Sequence, residues 1–79
     1  MEKQELIDKL CAAIAEEFEL EEKDIAPDAP IKETLDLDSL SLVDLIAVVE
    51  SQSGVKLKGV EVTHLITFED LYNFVFDRL

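Results

Sequence analysis

The sequence predicts an all-α fold, a small four-helix bundle of three principal helices and one short one, with a long first connection. Three observations carry that expectation. Leu6, Leu10, Ile14 and Phe18 recur at steps of four, the spacing of one face of a helix. Asp38 and Thr67 each stand before an apolar run, as helix N-caps do. Pro27 and Pro30 lie between the first two helical patterns, where a regular helix is disfavoured.

The first helix is expected over Glu5 to Phe18, with Ile7 and Ala13 beside its apolar stripe and Glu2, Glu5, Asp8, Lys9 and Glu16 facing water. The acidic segment Glu19 to Asp24 ends that pattern. Glu19 to Leu37 reads as a long ordered loop, pinned to the core by Ile25, Ile31 and Leu35. Loops of that length in small domains commonly serve function. Asp38 opens the second principal helix, because its carboxylate accepts from free amides and complements the helix dipole. That helix runs through Leu40, Leu42, Val43, Leu45, Ile46, Ala47, Val48 and Val49 to about Ser51, and Gly54 supplies a left-handed stop. Being apolar nearly all round, it is expected to be the most buried or most contacted helix. Val55 to Lys58 alternates and reads as an extended connector, and Gly59 to Leu65 as one short helical turn. Thr67 with Asp70 forms a capping box for the last helix, which turns Phe68, Leu71, Tyr72, Phe74 and Val75 inward and closes with Arg78 near its negative end.

Composition narrows the function. Seventy-nine residues suit a single domain spanning 1–79, with no repeats or low-complexity tracts. Nineteen acidic side chains against seven basic ones give a net charge of −12, which opposes binding to nucleic acid or an anionic membrane. A hydrophobic fraction of 48% still supports a packed core. The lone Cys11 cannot form an internal disulfide and reads as a small apolar residue on a helix face. No apolar run reaches membrane-span length, and the N-terminus resembles neither a signal nor a transit peptide. A cytoplasmic protein is expected, and no membrane insertion.

Catalytic arrangements find little support. His64 is the only histidine, and no Gly-x-Ser-x-Gly elbow accompanies any serine. It reads as a polar or partly buried surface residue. One Cys and one His do not make a zinc site. A calcium loop counted from Asp36 would need Gly and Glu where Ser41 and Ala47 stand. The two glycines have the wrong spacing for a phosphate loop. No metal site and no self-sufficient enzyme are expected.

Asp38-Ser39-Leu40 is distinguished by position: a serine in the first turn of a helix, after a long loop, where backbone amides and the helix dipole suit a phosphate. Simple capping accounts for the tripeptide alone. Its surroundings add Leu35 before it, Val43, Leu45-Ile46 and Val49-Glu50 after it, and Leu65-Ile66-Thr67-Phe68-Glu69-Asp70-Leu71 further on. Over essentially the whole chain this order resembles the acyl carrier protein family in its discrete form.

The resemblance implies a 4′-phosphopantetheine arm on Ser39, transferred from coenzyme A by a separate phosphopantetheinyl transferase, with acyl cargo held on the arm as a thioester. It implies that Asp38 positions magnesium and the coenzyme A phosphates during that modification. It places an acyl-chain cleft beside the second principal helix, with Val43, Ile46, Val49, Leu57, Val62, Leu65 and Leu71 as candidate walls, residues that ordinary core packing explains as well. Partners would be acyl-transfer, condensing and reducing enzymes of fatty-acid or specialised lipid or polyketide-like synthesis. Their basic patches would meet Asp36, Leu40, Asp44 and Glu50 on a monomeric carrier. The surface charge fits such steering.

Two features differ from the family's usual pattern. The second principal helix ends Glu50-Ser51-Gln52-Ser53-Gly54 without an acidic cluster and aromatic, and the third segment, Lys56 to Val62, holds two lysines and one acid. Negative charge concentrates instead between Glu2 and Asp28, with ten acids and three bases. That placement points to a specialised set of enzymes. An aminoacyl carrier, of the D-alanyl or peptidyl kind, and an acidic helical adaptor without a prosthetic group are the alternatives.

Overall fold

In the computed structural model, residues 2–79 are described. The first helix, α1 (Lys3–Glu17), buries Leu6, Leu10, Ile14 and Ala15, the stripe that steps of four predict. It ends where Glu19 turns left-handed and the Leu20 amide donates back to the Ala15 carbonyl at 2.8 Å.

The expected long loop is not helix-free. A 3-10 turn at Glu22–Ile25 anchors itself through buried Ile25, and a short helix, α2 (Ile31–Leu35), follows Pro30. Pro30 does not break this helix. It stands at the N-cap with φ −74°, where its missing amide would have had no partner anyway. Ile31 and Leu35, four apart, are both buried, so tertiary burial rather than length sustains the five residues. Asp36 closes α2 in a left-handed conformation, φ 50°, an uncommon one for a residue other than glycine.

The second principal helix is α3 (Ser39–Ser53), capped by Asp38 and stopped by left-handed Gly54 at φ 77°. It is not the most buried helix. Only Leu45 and Val49 are buried along its 15 residues, against four residues in α1. Its apolar surplus faces outward: Leu40 is 72% exposed and Val43 61%. After an extended connector comes α4 (Gly59–Thr63), then α5 (Phe68–Asp77). The α5 capping box is present in full. Asp70 N–H donates to Thr67 Oγ1 at 3.2 Å, and Thr67 N–H to Asp70 Oδ2 at 3.1 Å.

Leu6, Leu10 and Ile14 of α1, Leu45 and Val49 of α3, and Phe68, Leu71, Tyr72 and Val75 of α5 share one core, joined by Ile25, Ile31 and Val62 from the shorter elements. Each such large side chain contributes roughly 1.5–3 kcal/mol. Among the described residues just two ion pairs occur, Lys23–Glu21 at 3.0 Å and Arg78–Glu61 at 3.6 Å. Exposed pairs of this kind add at most about 1 kcal/mol. The fold rests on apolar burial, and no described helix is long and apolar enough to cross a membrane.

Candidate functional site: the head of α3

Asp38 has extended backbone, and its Oδ1 accepts from the Ser41 amide at 2.8 Å. That backbone hydrogen bond holds its carboxyl below the usual carboxylate range. The acid is therefore ionised at neutral pH and committed to the helix end, while Ser39, the next residue, stays exposed. No side-chain hydrogen bond engages the Ser39 hydroxyl among the described residues. Capping the helix with the neighbouring residue leaves the serine oxygen available.

Beside Ser39 opens a cavity of about 460 Å³ between α2, the start of α3 and α4. Ile31, Leu37, Leu42, Val62, Leu65 and Ile66 give it apolar walls, while Lys32, Glu33, Asp38, Ser39 and Thr63 supply polar lining. One side is closed by backbone pairing, in which Ile31 N–H donates to the Ile66 carbonyl at 2.9 Å and Phe68 N–H to the Ala29 carbonyl at 3.2 Å. An apolar recess beside a free hydroxyl suits a covalently tethered apolar group better than a diffusing polar substrate.

Of the residues anticipated as acyl-cleft walls, Val62 and Leu65 line this cavity. Val49, Leu57 and Leu71 are buried in the core, Ile46 packs half-buried against it, and Val43 faces solvent instead of lining the recess. Leu42, Leu37 and Ile31 do line it and were not anticipated. For Leu42 the signal was available, since it stands one helical turn after Ser39. Asp36, Leu40, Asp44 and Glu50 are all exposed, as a docking role requires.

His64 ends α4, exposed and outside the cavity lining, so no imidazole stands ready beside Ser39. Among the described residues no group of three or more His, Cys, Asp or Glu side chains is arranged to hold a metal ion. Cys11 lies half-buried next to the Tyr72 hydroxyl. Its thiol is raised above its ordinary range, first by burial and then by Glu22, which favours its protonated form.

Comparison with known proteins agrees with this geometry. Residues 8–75 match the family described as the phosphopantetheine attachment site. The acyl carrier protein of Thermosynechococcus vestitus is 29% identical over 79 residues, covering 100% of this chain and 98% of its own. That of Petrotoga mobilis is 34% identical over 79 residues, covering 100% of this chain and 93% of its own. That of Rubrobacter xylanophilus is 29% identical over 78 residues, covering 99% and 96%. With the attachment-site pattern and full-length relatives both matched, the chain belongs to the acyl carrier protein family.

Proposed function

We propose that this chain carries acyl groups as thioesters on a 4′-phosphopantetheine arm bonded to Ser39, and that it serves enzymes of fatty-acid or related lipid synthesis without catalysing a step itself. The observation that carries this reading is the exposed Ser39 hydroxyl at the head of α3, unengaged and opening beside an apolar cavity. The residues fit the group. A phosphodiester at this oxygen meets the positive end of a 15-residue helix, and an apolar chain folded back from it meets Leu42, Val62 and Leu65. Once attached, the arm supplies the thiol that holds the cargo.

The chain's own residues do the rest. Asp38 fixes the backbone of the first turn through Ser41, so the serine is held at the head of the helix, and its ionised carboxylate is placed to assist cation binding while the transferase works. Leu42, Val62, Leu65 and Ile31 exclude water from a stowed acyl chain. Val49, Leu57 and Leu71 stay in the core and outside the recess. Asp36, Leu40, Asp44 and Glu50 surround the serine with the charge and apolar surface that a basic partner reads. Such an arrangement needs no base beside the serine, and His64 lies exposed outside the cavity lining.

Incubation with coenzyme A, magnesium and a phosphopantetheinyl transferase tests the proposal by intact mass. One arm per chain is expected on the wild type and none on Ser39→Ala. A wild-type mass left unchanged by a transferase competent on other carriers refutes it.

A further inference from the structure

The connector and α4 carry charge of the opposite sign from the rest of the molecule. Along Val55–Lys58 the side chains alternate: Val55 and Leu57 are buried, Lys56 and Lys58 exposed. An extended backbone puts both lysines on one side. The only acid of α4, Glu61, is already engaged. Its Oε1 accepts from the Lys58 backbone amide at 3.0 Å, and its Oε2 pairs with Arg78 at 3.6 Å. Neither Lys56 nor Lys58 forms an ion pair among the described residues, in a chain of net charge −12.

The connector that carries these lysines leads into α4, which meets α3 at Leu42, one turn after Ser39. Gly59, next to Lys58, packs on α3: a Cβ there would stand 3.4 Å from Leu42 Cδ2, and Leu42 lines the cavity together with Ser39. Outward from the same short helix, Val60 is 63% exposed, matching the exposed Leu40 and Val43 of α3. The exposed apolar residues of α3 and α4 are thus accompanied by acids on the α3 side (Asp36, just before the helix, and Asp44) and by cations on the connector (Lys56, Lys58). On α2, Lys32 and Glu33 offset one another.

We infer that Lys56 and Lys58 act as an electrostatic selector on the docking face, favouring a partner protein whose basic patch covers the α3 flank and ends there. A partner with cations continuing over α4 meets two unpaired like charges, and its association slows accordingly. This rests on the carrier reading, since it concerns proteins that must approach Ser39.

A phosphopantetheinyl transferase with a basic patch that extends along both flanks is the probe, with loading rate read by intact mass. Lys56→Glu/Lys58→Glu should raise kcat/KM about three- to tenfold at low salt, with kcat little changed and the gain lost near 0.5 M salt. Lys3→Glu/Lys9→Glu, which makes the same change in net charge on exposed α1 positions, should give a smaller gain. Circular dichroism confirms that both variants are folded. Equal rates for wild type and the Lys56/Lys58 variant overturn the selector while leaving the carrier intact. A gain matched by the α1 variant overturns it too, because total charge then suffices. No loading of the wild type overturns the carrier reading and the selector with it.

Discussion

The amide of Ile31 donates to the carbonyl of Ile66 at 2.9 Å, although the two stand 35 positions apart in the sequence. Both residues line the recess beside Ser39. The bond therefore ties α2 to the approach to α5 and holds one side of the recess closed. Because the amide is held in a buried residue by a long-range bond, it should exchange far more slowly than amides of the nearby exposed segment 21–24. Native-state hydrogen exchange by NMR measures this directly. Comparable rates would mean that the two segments separate readily and that the recess has no fixed wall.

Removing the Ser39 hydroxyl should separate chemistry from stability. The oxygen holds nothing in place and Asp38 still caps α3, so Ser39→Ala should change stability by no more than about 0.5 kcal/mol while abolishing loading. A melting temperature lowered by many degrees would show that the serine is structural.

At the other end of the chain, the Thr67–Asp70 box sets the start of α5. Thr67→Ala should cost about 1 kcal/mol, a fall of about 4–8 °C in melting temperature for a domain of this size. The Asp70 carboxyl lies below its ordinary value of 3.8, held there by the Thr67 amide and then that of Ile66. A depressed folded-state pKa means that the unfolded chain takes up the proton first. The contribution of Asp70 is thus complete above about pH 5 and disappears as pH falls through the folded value. Melting of Asp70→Ala beside wild type should show a gap at pH 7 that closes below pH 3.8. A gap of constant size would show that the charge is not what caps the helix.

Tyr72 is a liability inside the core. Its hydroxyl is buried without a hydrogen-bond partner of ordinary strength, having only the weakly bonding Cys11 thiol alongside, and burial pushes the phenol well above its usual range. Leaving a polar group unsatisfied costs about 1–3 kcal/mol. Tyr72→Phe keeps the ring and should leave the melting temperature unchanged or higher. A clear drop would reveal a bond that the hydroxyl does make.

Self-repulsion should be visible in salt. With just two ion pairs among the described residues and a net charge of −12, raising salt from about 0.01 M to 0.2 M should increase the melting temperature by several degrees. A flat response would place the charges too far apart to matter.

Most of this architecture was legible in the chain. Steps of four set α1, and Asp38, Gly54 and the Thr67–Asp70 pair set the ends of α3 and the start of α5, because caps are local chemistry that sequence displays. The helix Ile31–Leu35 was not legible. Five residues after a proline are too few for periodicity to register, and this helix exists because Ile31 and Leu35 reach the core together. Burial in α3 was overread for a related reason. Hydrophobicity counts apolar residues without saying which face the neighbours cover, and Leu40 and Val43 fall on the uncovered one. Ser39 stands out in the sequence through its setting, whereas the recess beside it depends on α2 and therefore on the element that sequence concealed.

Ser39 belongs to the rigid body of α3, not to the segment that leads into it. Anything bonded to its oxygen swings from a stationary pivot, like a crane arm on a fixed mast. An enzyme that grips the outer side of α3 has thereby also set the radius and origin of the cargo's reach, and needs no separate contact to locate it.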